Sequence, residues 1–200
     1  MISYRHLTIC IVAVTLSLRA SEYQAEWTVV GAGPAGITAV AVLLDAGVEA
    51  KNIAWIDPEF HVGWLGNYCE NVPANVKTKM FISFFESSPS LQECHSGALC
   101  KLYTYEPDKE YPLETVIEPL RDVTRFYQDK VIAVQDYLIG LDYFDNHWHL
   151  ATHQATVTSK KVILATGASP RCLNYEYGTQ IPLQTAIDQQ KLAQCVTKDD

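Results

Sequence analysis

The run GAGPAG places Gly31, Gly33 and Gly36 at the spacing of a phosphate-binding turn, with Ala32, Pro34 and Ala35 between them. Each glycine has its own physical task in such a turn. The first permits a tight reversal, the second lets the backbone approach a pyrophosphate, and the third lets the following helix pack closely on the preceding strand. A helix starting here presents unpaired N–H groups and the positive end of its dipole to an anion, so no basic side chain is required. Asp57, followed by Pro58, lies somewhat beyond the roughly 20 residues usual between such a turn and an acid that accepts from ribose hydroxyls. Its carboxylate is expected to reach both hydroxyls of an adenosine ribose and to disfavour a 2′-phosphate, and hence NADP. The chemistry implied is the binding of an adenine dinucleotide.

A strand, a turn, a helix and a second strand must position these groups. Residues 26–30 are apolar and β-branched and predict the first strand. ITAVAVLLDAG predicts a helix that stops at Gly47, and NIAWI predicts a second buried strand that delivers Asp57. This is a βαβ unit, whose strands are expected to be parallel with a right-handed crossover. The extra length before the acid falls in VEAKN, a surface turn where insertion costs little. From residue 59 to about 112 periodicity weakens, and loops with one short helix over 78–85 are expected. Phe81, Phe84 and Phe85 would form that helix's core-facing stripe. Val116, Ile117, Leu120, Val123 and Phe126 or Tyr127 predict an amphipathic helix over 114–128. Short strands follow in KVIAV, DYLIGLDYF, HWHLAT and QATVTSKKVILATG, with a turn at Asp145-Asn146. The continuous apolar run from Val162 to Ala165 stops at Thr166-Gly167 and is expected as a fully buried strand of a parallel sheet. Residues 183–196 suggest one polar helix.

VVGAGPAGITAVAVLLDAG and, far downstream, KVILATGASPR resemble two signatures of the two-dinucleotide-binding-domain flavoproteins. That group includes flavin monooxygenases, thioredoxin-reductase-like proteins and related pyridine nucleotide-disulfide oxidoreductases. The resemblance spans about residues 25 to 171. It implies an α/β, Rossmann-like FAD/NAD(P)-binding domain with a central parallel sheet and a three-stranded β-meander. It further implies FAD as cofactor, with Gly31, Gly33 and Gly36 at the pyrophosphate, Asp57 at the ribose, and Ala165, Thr166 and Gly167 lining the groove. Leu138 would touch adenine through its backbone, and the loop HVGWLGNY would put Gly63 and Trp64 near the flavin. NAD(P)H would be the co-substrate, its hydride passing to the flavin and onward to oxygen or another acceptor.

Departures from the family pattern matter as much. A second GxGxx[GS] for NAD(P)H normally follows the ATG strand, and a Gly-Asp pair later touches the flavin side of FAD. The last glycine here is Gly178, and no glycine precedes an Asp. The NAD(P)H domain is thus expected outside these residues, a second polypeptide being one source of it. The alternative is a non-catalytic or remnant dinucleotide-binding module. Cys69 has no second cysteine where disulfide reductases of the group carry theirs, position 74 being Ala, which disfavours thiol–disulfide catalysis. No residue is assigned as catalytic acid, base or nucleophile. His147, His149 and His153 would share one strand face at period two. They are expected to be a solvated face opposite Trp148 and Leu150, not a metal site.

The 200 residues are 48% hydrophobic and 19% charged, enough to bury a core and too apolar for a disordered chain. A net charge of −8, with no cationic stripe, argues against a nucleic-acid partner. The apolar stretch from Leu7 to Leu18 is too short to span a bilayer. It is expected as an N-terminal tail, with a cleavable leader the alternative. Three segments result: 1–22 as leader or tail, 23–172 as the dinucleotide-binding domain, and 173–200 as an exit loop and helix. Cys94 and Cys100 are the closest pair of cysteines among residues beyond the tail, and two ordinary thiols are expected there. A cytoplasmic setting is favoured, and a secreted or periplasmic one follows if residues 1–20 are a signal peptide.

Overall fold

A computed structural model describes residues 21–68, 72–168, 181–187 and 189–196. Residues 1–20 of the expected tail, Cys69 and residues 169–180, which include the start of the expected exit loop, lie outside them. Six strands, β1 (Ser21–Val30), β2 (Ile53–Ile56), β3 (Ile132–Val134), β4 (Leu138–Phe144), β5 (His147–Thr152) and β6 (Ala155–Leu164), form one sheet in the order β3-β2-β1-β6-β5-β4. The first four in that order run parallel, and β6, β5 and β4 form an antiparallel meander. This is the α/β, Rossmann-like arrangement that the motifs imply.

The helices are α1 (Pro34–Asp45), α2 (Gly63–Tyr68), α3 (Thr78–Glu86), α4 (Pro89–Gln92), α5 (Gly97–Leu102), α6 (Glu114–Gln128), α7 (Leu183–Ala186) and α8 (Gln189–Val196). Alternate residues of β2 serve two cores. Ile53 and Trp55 join Val29, Ile37, Val40, Ile117 and Val123 on the helix side, while Ala54 and Ile56 join Val30, Val134, Leu150 and Val157 on the other face. Each such aliphatic side chain contributes roughly 1.5–3 kcal/mol by leaving water. Both faces of β2 are therefore covered, which is why its sequence is continuously apolar. Proline opens α1 at the position where its missing N–H costs nothing. Gly47, at φ 84°, turns the chain out of that helix, and its N–H donates to the Leu44 carbonyl at 2.9 Å.

Several expectations are revised. The first strand begins at Ser21, five residues before the apolar run, because Ser21 to Ala25 pair with Ala155 to Ser159 of β6. Val162 to Leu164 are not fully buried, and Leu164 is 58% exposed. The meander partner β5 pairs only with residues up to Ser159, so the end of β6 has β1 as its one neighbour in the sheet. The segment between Asp57 and Pro112 contains α2, α4 and α5 in addition to the expected α3. The last two announce themselves only through their caps: Ser88 Oγ accepts from Leu91 N at 3.3 Å, and Ser96 Oγ from Leu99 N at 3.0 Å. Phe85 is fully buried, with Phe81 and Phe84 packed against the same core. Residues 183–196 form two helices rather than one. Cys94 and Cys100 are free thiols.

His147 and His149 share one face of β5 as expected, but His153 does not join them. His147 Nδ1 lies 2.9 Å from the Asp145 carbonyl oxygen, and His149 stacks on Phe144 with ring centroids 3.6 Å apart. Trp148, expected to be buried behind them, is only half-buried against Tyr143. His153 lies past the end of β5, its Nδ1 2.9 Å from Asp136 Oδ1. Asp136 fastens the β3–β4 connection to the β5–β6 turn, since it also accepts from Tyr137 N and Gln154 N, each at 2.8 Å.

The adjacent His153 ring, helped by the two backbone donors and opposed by desolvation, holds the Asp136 carboxyl at about 2 against an ordinary 3.8. A carboxyl depressed on folding stabilises the fold above its unfolded value, so this contribution is lost as pH falls from about 4 towards 2. His153→Ala removes the largest cause of the depression. Thermal unfolding measured across that window is expected to show a shallower acid-side loss in the variant than in the wild type.

Candidate functional site

Strands β1, β2 and β6 end together, and the chain segments leaving them enclose a groove of about 380 Å³. The turn Gly31 to Ala35 forms its floor, Asp57 to Glu59 and Gly63 to Leu65 one side, and Ala165 to Ala168 the other. A second cavity of about 270 Å³ adjoins it, lined by Val30, Ile56, Asp136, Tyr137 and Leu138. Gly31, Asp57, Pro58 and Thr166 line both, so the two make one continuous cleft across the glycine turn.

The three glycines of the turn have different surroundings. Gly31 has φ 106°, and a Cβ there would sit 2.3 Å from the Ala165 carbonyl oxygen. Gly36 lies beneath the turn, where a Cβ would meet the Gly31 carbonyl oxygen at 1.8 Å. Gly33 is different. Its φ of −74° suits any residue, and an added Cβ would find only Gly63 Cα, at 4.0 Å. What glycine provides at this position is open space above the start of α1, where no side chain caps the helix. The first-turn N–H groups of a helix have no intrahelical acceptors, so a cradle of bare backbone donors faces the cleft.

The turn is held from three sides. Gly31 N donates to the Ile56 carbonyl at 2.8 Å, Trp55 Nε1 donates to the Gly31 carbonyl at 2.9 Å, and Ala165 N donates to the Val30 carbonyl at 2.8 Å. Asp57 adds a fourth tie, its Oδ2 accepting from Ala32 N at 2.7 Å. Its Oδ1 accepts from Glu59 N at 2.9 Å and from Phe60 N at 2.6 Å. Asp57 is therefore engaged within the chain, whereas its type and spacing suggested a carboxylate held out to a ribose.

Of the residues singled out from sequence, Gly31, Ala32, Gly33, Pro34, Ala35, Asp57, Pro58, Gly63, Trp64, Ala165, Thr166 and Gly167 line the larger cavity and Leu138 the smaller. Gly36 alone is buried below the cleft. Sequence reasoning missed Trp55, Glu59, Leu65, Asn67, Asp136, Tyr137 and Ala168. For Trp55 the signal was present: on an extended strand it shares a face with Asp57 two residues on, and so points at the turn.

The site thus defines a dinucleotide-binding Rossmann-like domain, and comparison with known proteins is specific about which. Residues 25–197 match the pyridine nucleotide-disulphide oxidoreductase family, and the chain belongs to it. Members of that family are flavoproteins that use FAD and NAD(P)H. Among curated relatives, a monooxygenase, AgnR1, from Paecilomyces divaricatus is 27% identical over 160 residues, covering 72% of this chain and 41% of that protein. The chain thus spans less than half the length of this relative. A closed cyclohexanone monooxygenase shares the fold at 17% identity and a TM-score of 0.55, over 77% of this chain and 28% of that one. A thioredoxin reductase from Gloeobacter violaceus is 19% identical, with a TM-score of 0.48, over 75% of this chain and 36% of that one. No helix among the described residues is long and apolar enough to cross a membrane.

The contrast between Gly33 and Gly31 yields a sharp expectation. Gly33→Ala should leave the melting temperature within about 1–2 °C, since its Cβ meets no packed atom and the change costs well under 1 kcal/mol. The same Cβ fills the cradle, so dinucleotide affinity measured by calorimetry should fall at least tenfold. Gly31→Ala must instead lower both, because its Cβ has nowhere to go.

Proposed function

We propose that this chain is the FAD-binding part of a flavin-dependent, NAD(P)H-linked oxidoreductase. The observation that carries the reading is the open backbone cradle above Gly33, at the start of α1, in a cleft that continues across the glycine turn to the Leu138 side. Three features fit FAD to these residues: the bare N–H donors suit a pyrophosphate, the Leu138 side is a small pocket for adenine, and Gly63 and Trp64 flank the opposite end. Bound there, the flavin would supply the electron chemistry.

The chain's own residues bind and orient. Gly33, Ala35 and Gly36 would hold the pyrophosphate through backbone N–H groups. Gly31 and Gly36 keep the helix close to the strand ends, while Ala165, Thr166 and Gly167 form the wall along which the dinucleotide lies. Leu138 would meet adenine through its backbone, and Pro58 lines the cleft beside Asp57. The domain expected over 23–172 starts two residues earlier, with β1 at Ser21, and 173–200 are taken as the connection beyond it. Trp64, 37% exposed and lining the cleft, would lie near the flavin. Reduction by NAD(P)H requires a second nucleotide site, which we assign to a further domain of the whole protein, as the partial coverage of the monooxygenase suggests.

Purified protein should carry a flavin absorption spectrum or acquire one on mixing with FAD, and it should bind FAD in preference to FMN, which lacks the pyrophosphate and adenosine. Bleaching on addition of NADH or NADPH would extend the reading to catalysis by this chain. Stable flavin binding without bleaching would restrict it to a binding module, and failure to bind any flavin would overturn it.

A further inference from the structure

We infer that Arg121 is a positioning residue for one wall of the cleft: from α6 it latches the short helix α2, which carries Gly63, Trp64 and Leu65 to the groove. What that wall does for a ligand rests on the dinucleotide reading above; the latch itself does not. A helix of six residues is marginal in water and needs tertiary contacts to keep its place. The described side chains of α2 supply little apolar hold. Trp64 stands exposed, Gly66 has no side chain, and Leu65 is partly buried against the larger core. Behind the helix lies a polar cavity of about 480 Å³, with His61, Asn67, Glu118, Arg121 and Arg125 in its lining.

Arg121 ties α2 to α6 beside this cavity. Its Nη2 donates to the Gly66 carbonyl at 2.8 Å, and its Nη1 donates to Glu118, one turn earlier on α6. Gly66 is among the last four residues of α2, whose carbonyls have no intrahelical donors. The Arg121 side chain is only 18% exposed, and its pairing with Glu118 aims the planar guanidinium fork. Helix α6 is a firm base, with Val116, Ile117, Leu120, Val123 and Tyr127 buried. Gly66 is confined from the other side too, since a Cβ there would sit 1.7 Å from the His61 carbonyl oxygen. The chain enters α2 through left-handed conformations at Phe60 and Val62, with φ 51° and 59°, which a β-branched residue rarely adopts. Full burial of Val62 holds the entry, and Arg121 holds the far end. Without the second hold the loop can relax by swinging α2, which takes Gly63 and Trp64 out of the wall.

Calorimetry on the full chain compares FAD with ADP, in the wild type and in Arg121→Met, which keeps an apolar stem and removes the donors. ADP lacks the flavin half, so its affinity should stay within about twofold, whereas FAD should bind on the order of tenfold more weakly. Equal losses for the two ligands would mark a general destabilisation and overturn the inference, as would an unchanged FAD affinity. Arg121→Lys keeps the charge and a donor for the Gly66 carbonyl, so it should recover part of the FAD loss and carries the comparison if the methionine variant does not fold. Amide hydrogen exchange on the ligand-free chain is a readout independent of any nucleotide. Asn67 and Tyr68, in the last turn of α2, should exchange on the order of tenfold faster in the variant, with β2 unchanged. Equal rates in variant and wild type would contradict the latch. A wild type that binds neither ligand would overturn the dinucleotide reading, and the exchange rates then decide the latch alone.

Discussion

At Gly31 the backbone turns with φ 106° in a gap that has no room for a side chain, because the Ala165 carbonyl stands 2.3 Å from where a Cβ would be. Everything around the cleft follows from that close approach. It brings the ends of β1 and β6 within reach of a single ligand, lets α1 begin directly over the strand ends, and leaves the helix N-terminus uncapped and facing outwards. The turn does not hold itself. A tryptophan indole, two backbone bonds to neighbouring strands and one carboxylate fix it, so the cradle exists before any anion enters. Preorganisation of this kind spares the ligand the entropy of ordering a loop.

The same economy explains the strained segment after Asp57. A left-handed conformation at Val62 is unfavourable by itself, and it persists where burial and hydrogen bonds outweigh it. Here it aims Gly63 at Gly33 and places Trp64 on the rim. The site is therefore made by two segments that lean on each other, the glycine turn and the loop from Asp57 to Gly63, with residues 165–168 closing the far side.

Much of this was legible in the chain. The glycine turn, the helix after it, the second strand and the amphipathic helix at Glu114–Gln128 all follow from spacing and periodicity that tertiary contacts reinforce. Family resemblance at the ATG strand located the opposite wall. What escaped prediction had physical causes. The single long strand β6 carries two patterns, alternating where β5 covers it and continuous where only β1 does, so it read as a meander strand and a buried one. α4 and α5 are too short for a periodic signal and depend on serine caps. The inward use of Asp57 is decided by which backbone N–H groups reach its carboxylate, and no spacing rule encodes that. His153 looked like a member of a histidine row until the strand ended one residue earlier and gave it to Asp136.

The central claim is that the backbone donors at the start of α1 receive the phosphates of a dinucleotide. Titration of isotopically labelled protein with ADP, followed through backbone amide shifts, tests it most directly. The largest changes should fall on Gly33, Ala35 and Gly36, with smaller ones at Leu138 and Thr166. Concentration of the changes instead at the separate cavity between α5 and α6, around Ala98, Lys101 and Thr115, would contradict it.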